Sequence, residues 1–290
     1  MPYPKIELHV HLEGTLRPER LLDIARRNGY PLPVDTVEGV RGLYEYRDFD
    51  HFIEVWIVVT NALRHGDDFR QLVVDYAGEA ARHGAVYVEG IFSPIERVWR
   101  GVEWDEIFTG YCDGAQEARE RHGVEVRLTP DITRDSPLED AMTAVRYAIE
   151  YRDRGIVGIG LGGEETLYPP EPFEPAFRAA RDGGLGSVPH AGEVVGPRSI
   201  WGALETLGAD RIRHGIRAEE DPALVREIAD LTREYAVATS FGIAPRLFYE
   251  AGVAGALCDR ETKERLDAMG RAYPWPDRPD RPDRPHADGS

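Results

Sequence analysis

Three histidines are spaced as zinc ligands would be. His9 and His11 lie two positions apart in an apolar segment, so both imidazoles project from one face if that segment is a β-strand. His190 ends a later apolar segment. Three imidazole nitrogens that leave a position open for water are typical of a catalytic zinc ion, which lowers the pKa of its bound water to about 7. The spacing therefore predicts a hydrolytic site for one Zn²⁺ bound by His9, His11 and His190.

Two further side chains follow these segments and could move protons. Glu193 lies three residues after His190, and a partly desolvated carboxyl there can stay protonated and donate to a ring nitrogen during hydroxide attack. Its alternative role is a negative charge at a helix N-terminus. His214 ends another strand-like segment and either orients the attacking water or is a structural histidine. We predict Glu193 and His214 as catalytic residues.

The glycine-rich run 160–165 also follows a strand-like segment. Its glycines either let a flat ligand approach backbone N–H groups or form a tight turn, and their spacing is wrong for a phosphate loop.

The elements that must position these residues alternate between short apolar segments and helix-length stretches. The predicted strands are 6–10, 85–92, 124–129, 157–161, 187–190 and 211–215. Such alternation indicates parallel strands joined by helices, and each candidate site residue follows the carboxyl end of a strand. The sequence predicts an α/β fold of the TIM-barrel type.

The barrel pattern is incomplete at its end. Six strands are found where eight are needed, and the two missing strands with their helix correspond to roughly 40 to 60 residues. After a helix at 222–229, the stretch 231–242 is ambiguous, and 245–251 and 262–273 read as helices. We predict one domain over 1–273 that is incomplete after about residue 230, followed by a disordered tail of proline, aspartate and arginine at 274–290.

Composition narrows the function further. Thirty-five basic against 52 acidic residues give a net charge of −17, which disfavours nucleic acid and anionic membranes as partners. The chain shows no signal-like segment and no apolar stretch of about 18 residues. Cys112 and Cys258 form no CxxC or disulfide pattern. We expect a cytoplasmic protein with a small-molecule substrate, and leave a homo-oligomer open.

The chain resembles the adenosine deaminase family of the metal-dependent hydrolases. The motifs that carry the resemblance are His9-Val-His-Leu-Glu-Gly14, Val86-Tyr-Val-Glu89 with Ser93-Pro94, Gly162-Gly163-Glu164, His190-Ala-Gly-Glu193 and His214-Gly215. The resemblance covers residues 5 to about 230 and implies a metal-dependent hydrolase barrel that deaminates purine nucleosides.

That resemblance implies a role for each candidate residue. The three histidines would bind Zn²⁺, Glu193 would protonate the purine N1, and His214 would help to activate the water. Gly163 would contact the purine through its backbone N–H, and Glu13 would reach the ribose or its substitute. The aromatic segment 49–57 is similar to the apolar helix that covers the pocket in that family, although plain helix core explains it equally well.

One expected motif is missing. Family members carry Ser-Asp-Asp or Thr-Asp-Asp after the last strand, where one aspartate completes the zinc site, and no Asp-Asp pair follows residue 230. An internal deletion near residue 230 explains this loss. The only lysines are Lys5 and Lys263, and neither is placed to become the carboxylated lysine of a two-metal site.

Three hypotheses result. The first is an active deaminase that removes the 6-amino group of adenosine or of a related adenine nucleoside such as aminodeoxyfutalosine. The second is an inactive remnant that binds zinc or a nucleoside. The third is a non-functional truncation with exposed strand edges.

Overall fold

The computed structural model describes residues 3–231 and 245–275. Its strands are β1 (Lys5–His11), β2 (Ala85–Phe92), β3 (Glu125–Thr133), β4 (Gly158–Gly162), β5 (Gly186–Ser187), β6 (His190–Ala191) and β7 (Arg213–His214). Strands β1 to β5 form a sheet in that order, and β6 pairs with β7. All of these pairs are parallel, which confirms the predicted α/β fold.

The helices lie between and after these strands. They are α1 (Pro18–Arg27), α2 (Val37–Leu43), α3 (Phe49–Thr60), α4 (Gly66–Arg82), α5 (Pro94–Val98), α6 (Trp104–His122), α7 (Leu138–Glu150), α8 (Glu174–Asp182), α9 (Pro197–Glu205), α10 (Pro222–Leu231), α11 (Pro245–Gly255) and α12 (Arg260–Ala272). The main core lies between the sheet and these helices. At its centre Phe92 of β2 stacks on Tyr111 of α6, with the ring centroids 4.2 Å apart.

The predicted fifth strand is divided in two. Val188 still donates its N–H to Ile159 of β4 at 2.9 Å, whereas β6 pairs with β7. Pro189 lies between them and has no N–H to donate, so it contributes only its carbonyl, which accepts from Arg213 at 3.0 Å. The chain therefore changes its pairing partner just before His190.

A β-bulge in β1 determines which way the first two histidines point. Glu7 pairs with Val88 and Val10 with Gly90, so three steps along β1 match two along β2. In a regular strand, Ile6 and His11 would face opposite sides of the sheet, because they are five positions apart. With the bulge they face the same side, because their partners Tyr87 and Ile91 do.

Arg211 connects the last strand region to the first. Its Nη1 donates to the Gly255 carbonyl at 2.7 Å, and its Nη2 donates to Glu89 Oε2 at 2.5 Å. Nη2 also lies 3.4 Å from the Leu8 carbonyl oxygen. Glu89 Oε1 accepts from the Leu257 N–H at 2.6 Å. Within residues 3–231 and 245–275, β1 pairs only with β2 and β7 only with β6, so Arg211 and helix α11 hold together the region between them.

We expect Arg211→Met to lower the free energy of unfolding by about 3 to 5 kcal/mol, because it leaves the fully buried Glu89 carboxylate without its cation. Urea denaturation measures the loss. The control is Arg178→Met, which removes an exposed i,i+4 ion pair with Glu174 and should cost about 0.5 kcal/mol or less. Equal losses in the two variants would contradict the role of Arg211.

Several sequence predictions concern residues outside or at the edge of the described ranges. Most of the ambiguous stretch 231–242 and most of the tail 274–290 lie outside them, so these predictions stand as made. The domain boundary near residue 273 also remains a prediction.

In the described part of the chain, no helix combines the length and the apolar character needed to cross a membrane. Cys112 and Cys258 are free thiols.

Candidate active site

The three predicted ligand histidines meet at the carboxyl ends of their strands. His9 Nε2 lies 3.1 Å from His190 Nε2, and His11 Nε2 lies 3.0 Å from the same atom. Nitrogens bound tetrahedrally to zinc at 2.0 to 2.1 Å are about 3.3 Å apart. These two distances are close to that value, and all three ligand nitrogens lie within 4.8 Å of one another, so the three side chains could hold one metal ion.

The ionisation of these histidines also suits a metal. Burial, followed by the charge of His190, lowers the pKa of His9 to about 2 and that of His11 to about 3. Both rings are therefore neutral at pH 7, with a nitrogen lone pair available for a cation.

The other ring nitrogen of His190 is hydrogen-bonded to a backbone carbonyl and lies close to a carboxylate. Its Nδ1 lies 3.0 Å from the Leu161 carbonyl and 3.2 Å from Asp131 Oδ2. A proton on Nδ1 leaves Nε2 free to bind metal, the usual arrangement for a ligating histidine. His190 is therefore fixed in both ring orientation and tautomer.

Asp131 belongs to a buried network that sequence reasoning missed. Arg213 donates to Asp131 Oδ1 at 2.6 Å and to Thr129 Oγ1 at 2.5 Å. Although burial opposes it, the charge of Arg213 and then of His190 holds the pKa of Asp131 well below its usual range. The available signal was a charged residue within an apolar segment, but the predicted third strand ended at residue 129 and left Asp131 in a loop.

Two glycines of the run 160–165 have a structural role that the sequence did not indicate, and the flat-ligand and tight-turn interpretations of the run both stay predictions. A side chain at Gly160 or Gly162 would overlap the Asp131 carboxylate. These two glycines therefore make room for a buried acid between β3 and β4.

We expect Gly160→Ala to destabilise the chain by at least about 2 kcal/mol, because the new Cβ displaces the carboxylate that carries the Arg213 and His190 contacts. Thermal unfolding measures this. The control Gly42→Ala introduces a Cβ with open space around it and should be neutral or slightly stabilising. A Gly160→Ala variant as stable as the wild type would contradict the crowding.

Glu193 and His214 lie beside the histidine cluster. Glu193 Oε2 is 3.3 Å from His214 Nε2, and the His214 ring centroid lies 4.7 Å from that of His9. His214 has a left-handed backbone, with φ 71°, which is strained for a residue with a side chain. Burial lowers the pKa of His214, while the charge of Glu193 opposes that shift. The structure thus brings together all five predicted metal-binding and catalytic side chains.

The two predicted substrate-binding residues are placed differently. Glu13 is almost completely buried, and its Oε1 accepts from the Ser93 N–H at 2.8 Å. Burial raises its pKa to about 7, although the Ser93 N–H opposes the shift. Gly163 follows β4 with φ 102°, a conformation that favours glycine. Their predicted substrate contacts remain predictions.

Helix α3 has two different faces. Val55 and Val59 pack into the core, whereas Ile53 and Ile57 are exposed. The Trp56 ring centroid lies 6.1 Å from that of His11. The helix is therefore partly core and partly a neighbour of the histidine cluster, and its role as a cover of the pocket stays a prediction.

The parallel strands, with the histidine cluster at their carboxyl ends, form an α/β fold of the TIM-barrel type that carries a candidate metal site. Residues 4–241 match the adenosine deaminase family, and the chain belongs to that family. It is thus a hydrolase of the deaminase type.

Individual relatives agree with this assignment. The chain is 46% identical to an aminodeoxyfutalosine deaminase of Acidothermus cellulolyticus, over 94% of this chain and 92% of that one. It is 40% identical to an adenine deaminase of Streptomyces coelicolor, over 79% and 67%. The solved adenine deaminase of Arthrobacter aurescens has the same fold, with a TM-score of 0.81 at 24% identity, over 92% and 98%. A solved amidohydrolase of Burkholderia ambifaria with bound Zn has a TM-score of 0.79 at 23% identity, over 93% and 90%.

The alignment with the Acidothermus protein is longer than the part of this chain that it covers. It extends over 329 aligned positions, whereas 94% of 290 residues is about 273, so about 56 positions face no residue of this chain. This length agrees with the roughly 40 to 60 residues of two strands and a helix.

Proposed function

We propose that this protein uses one Zn²⁺ to hydrolyse the 6-amino group of an adenine nucleoside and release ammonia. The convergence of the His9, His11 and His190 nitrogens next to Glu193 and His214 carries the proposal. Family membership and the named deaminases among the relatives support it. The free cysteines are consistent with a cytoplasmic location, which is part of the proposal.

Each side chain has a chemical task in this reaction. The three imidazoles would hold the ion, and zinc bound there supplies a Lewis acid that makes water nucleophilic at neutral pH. Glu193 would give a proton to the purine N1, which lowers the electron density at the carbon under attack. His214, 3.3 Å from Glu193, would orient the attacking water and share its proton with that carboxylate. Gly163 would donate its N–H to the purine, and Glu13 would bind the ribose or its substitute.

The missing aspartate does not remove the metal-binding capacity. Among the described residues the histidine cluster includes no carboxylate, and the stretch 232–244 contains no aspartate. Asp259 caps helix α12 by accepting from the Thr262 N–H at 2.8 Å, so it is used elsewhere. Three nitrogen ligands and an open position suffice for a catalytic zinc ion. We therefore propose weaker zinc binding with catalysis retained, and an internal deletion after residue 230.

Aminodeoxyfutalosine is the first candidate substrate. The Acidothermus deaminase named for it is the relative with 46% identity, and it is aligned over 92% of its length, whereas the adenine deaminases are 35 to 40% identical. Adenosine and adenine are the alternatives.

Purified protein loaded with Zn²⁺ should therefore be assayed with aminodeoxyfutalosine, adenosine and adenine, following the loss of the adenine absorbance. We expect the highest kcat/KM with aminodeoxyfutalosine. A higher kcat/KM with adenine would overturn the choice of substrate, and turnover of none of the three would overturn the proposed reaction.

The second candidate function is a zinc- or nucleoside-binding protein without turnover. The observation that favours it is the histidine cluster without a carboxylate. It predicts metal and nucleoside binding by calorimetry, together with no ammonia release.

A further inference from the structure

Glu165, in the loop after β4, accepts hydrogen bonds from four donors on a different part of the chain. Its Oε1 accepts from the Gly192 N–H at 2.6 Å and from the Ser199 hydroxyl at 2.5 Å. Its Oε2 accepts from the Val194 N–H at 2.8 Å and the Val195 N–H at 2.9 Å. The side chain is buried. An ionised carboxylate can accept about four hydrogen bonds, so these four donors occupy all of its acceptor positions.

Three of these donors are backbone groups on both sides of Glu193. Gly192, Val194 and Val195 all point their N–H groups at one carboxylate, which fixes the bend of the loop that carries Glu193. Gly192 has φ 70°, and a Cβ there would collide with Ile200. The loop therefore has little freedom while Glu165 is ionised.

The start of this loop is anchored by a second buried group. Arg134 donates through Nη2 to the His190 carbonyl at 2.7 Å and through Nη1 to the Tyr168 carbonyl at 2.6 Å. The His190 end and the Val195 end are thus both held by side chains from other segments. Burial alone would raise the pKa of Glu165, but the Ser199 hydroxyl and the three N–H groups lower it below its usual value, so the carboxylate is ionised at neutral pH.

We propose that Glu165 is a positioning residue that holds the loop 192–195 so that Glu193 reaches the purine N1. This role rests on the proposed function of Glu193. A glutamine at position 165 has one acceptor oxygen and an NH₂ group, so it can satisfy only one of the two donor pairs. The other pair would be left buried without an acceptor.

The test compares Glu165→Gln with Glu164→Gln. Glu164 is the adjacent glutamate and is exposed, and in the described chain its carboxylate accepts a hydrogen bond from the Thr166 N–H of its own turn. With Zn²⁺-loaded protein and aminodeoxyfutalosine, we expect Glu165→Gln to lower kcat by about 10- to 100-fold with KM changed less than about threefold. One Zn²⁺ per chain should remain bound. Glu164→Gln should behave as the wild type.

Amide hydrogen exchange provides a readout that is independent of turnover. We expect the Gly192, Val194 and Val195 amides to be protected in the wild type and to exchange at least about 10-fold faster in Glu165→Gln. Wild-type exchange together with wild-type kcat in Glu165→Gln would overturn the proposal, as would loss of zinc with unchanged exchange. If the wild type itself shows no turnover, the proposed function fails, while exchange still decides whether Glu165 holds the loop.

Discussion

His11→Ala is expected to weaken zinc binding by at least about 100-fold and to abolish turnover. Substitution of groups that only orient metal ligands costs 10- to 100-fold in affinity, and His11 is placed to be a ligand itself. Two imidazoles leave too few protein donors for a stable site. Metal analysis after gel filtration should fall from about one Zn²⁺ per chain in the wild type to below about 0.1 in the variant.

The control for this experiment is His83→Ala. His83 follows helix α4, and its exposed ring contacts Glu79 at 3.0 Å. We expect full zinc content in that variant. Thermal unfolding of both proteins shows whether His11→Ala still folds. Equal zinc content in wild type and a folded His11→Ala would contradict the metal site.

Glu193→Gln is expected to lower kcat by about 10²- to 10⁴-fold, the usual contribution of a general acid or base. Glutamine keeps the shape and can still donate a hydrogen bond, but it cannot transfer a proton to the purine N1. Glu193 does not belong to the group of side chains that could hold the metal ion. Zinc content and nucleoside binding should therefore change little. Steady-state kinetics measures kcat, metal analysis measures the zinc content, and calorimetry measures nucleoside binding.

Glu219→Gln is the matched control for Glu193. It alters an exposed glutamate in the turn that follows β7, and we expect it to leave kcat within about twofold of the wild type, as for an ordinary surface change. A Glu193→Gln variant that retains more than about a third of the wild-type kcat would show that another group protonates the substrate.

Much of the fold was predictable because the strands carry strong local signals. The second strand was predicted with its observed bounds, Ala85–Phe92. The histidine cluster was predictable as well, since the carboxyl ends of parallel strands lie on one side of the sheet. The bulge in β1 was not, because it is produced by pairing with β2 and leaves no mark in the β1 sequence.

The groups that support the site were harder to find. Asp131 and Arg213 lie 82 positions apart, so only their pairing in the folded chain shows that each neutralises the other. Glu165 resembles any loop glutamate until its four donors, which lie 27 to 34 positions away, are seen. The glycines at 160 and 162 could be noted in the sequence. The group that requires them, the Asp131 carboxylate, lies on the neighbouring strand and could not.

Counting predicted that two strands of the barrel are missing, and the internal deletion that would explain this remains a prediction with which the length of the alignment is consistent. Six predicted strands correspond to the observed β1 to β7, with the fifth divided in two. The contacts by which Arg211 connects the last described strand region to the first were not predictable. Arg211 lies just before β7, and its bonds to Glu89 and Gly255 join two regions that are distant in sequence.

The most direct test of the account is ammonia release from aminodeoxyfutalosine by one sample of wild-type protein, measured before chelation, after removal of the metal, and after Zn²⁺ is restored. We predict one ammonia per substrate converted, loss of turnover on chelation, and its recovery with zinc. Stable binding of one Zn²⁺ with no ammonia released from this nucleoside, from adenosine or from adenine would contradict it.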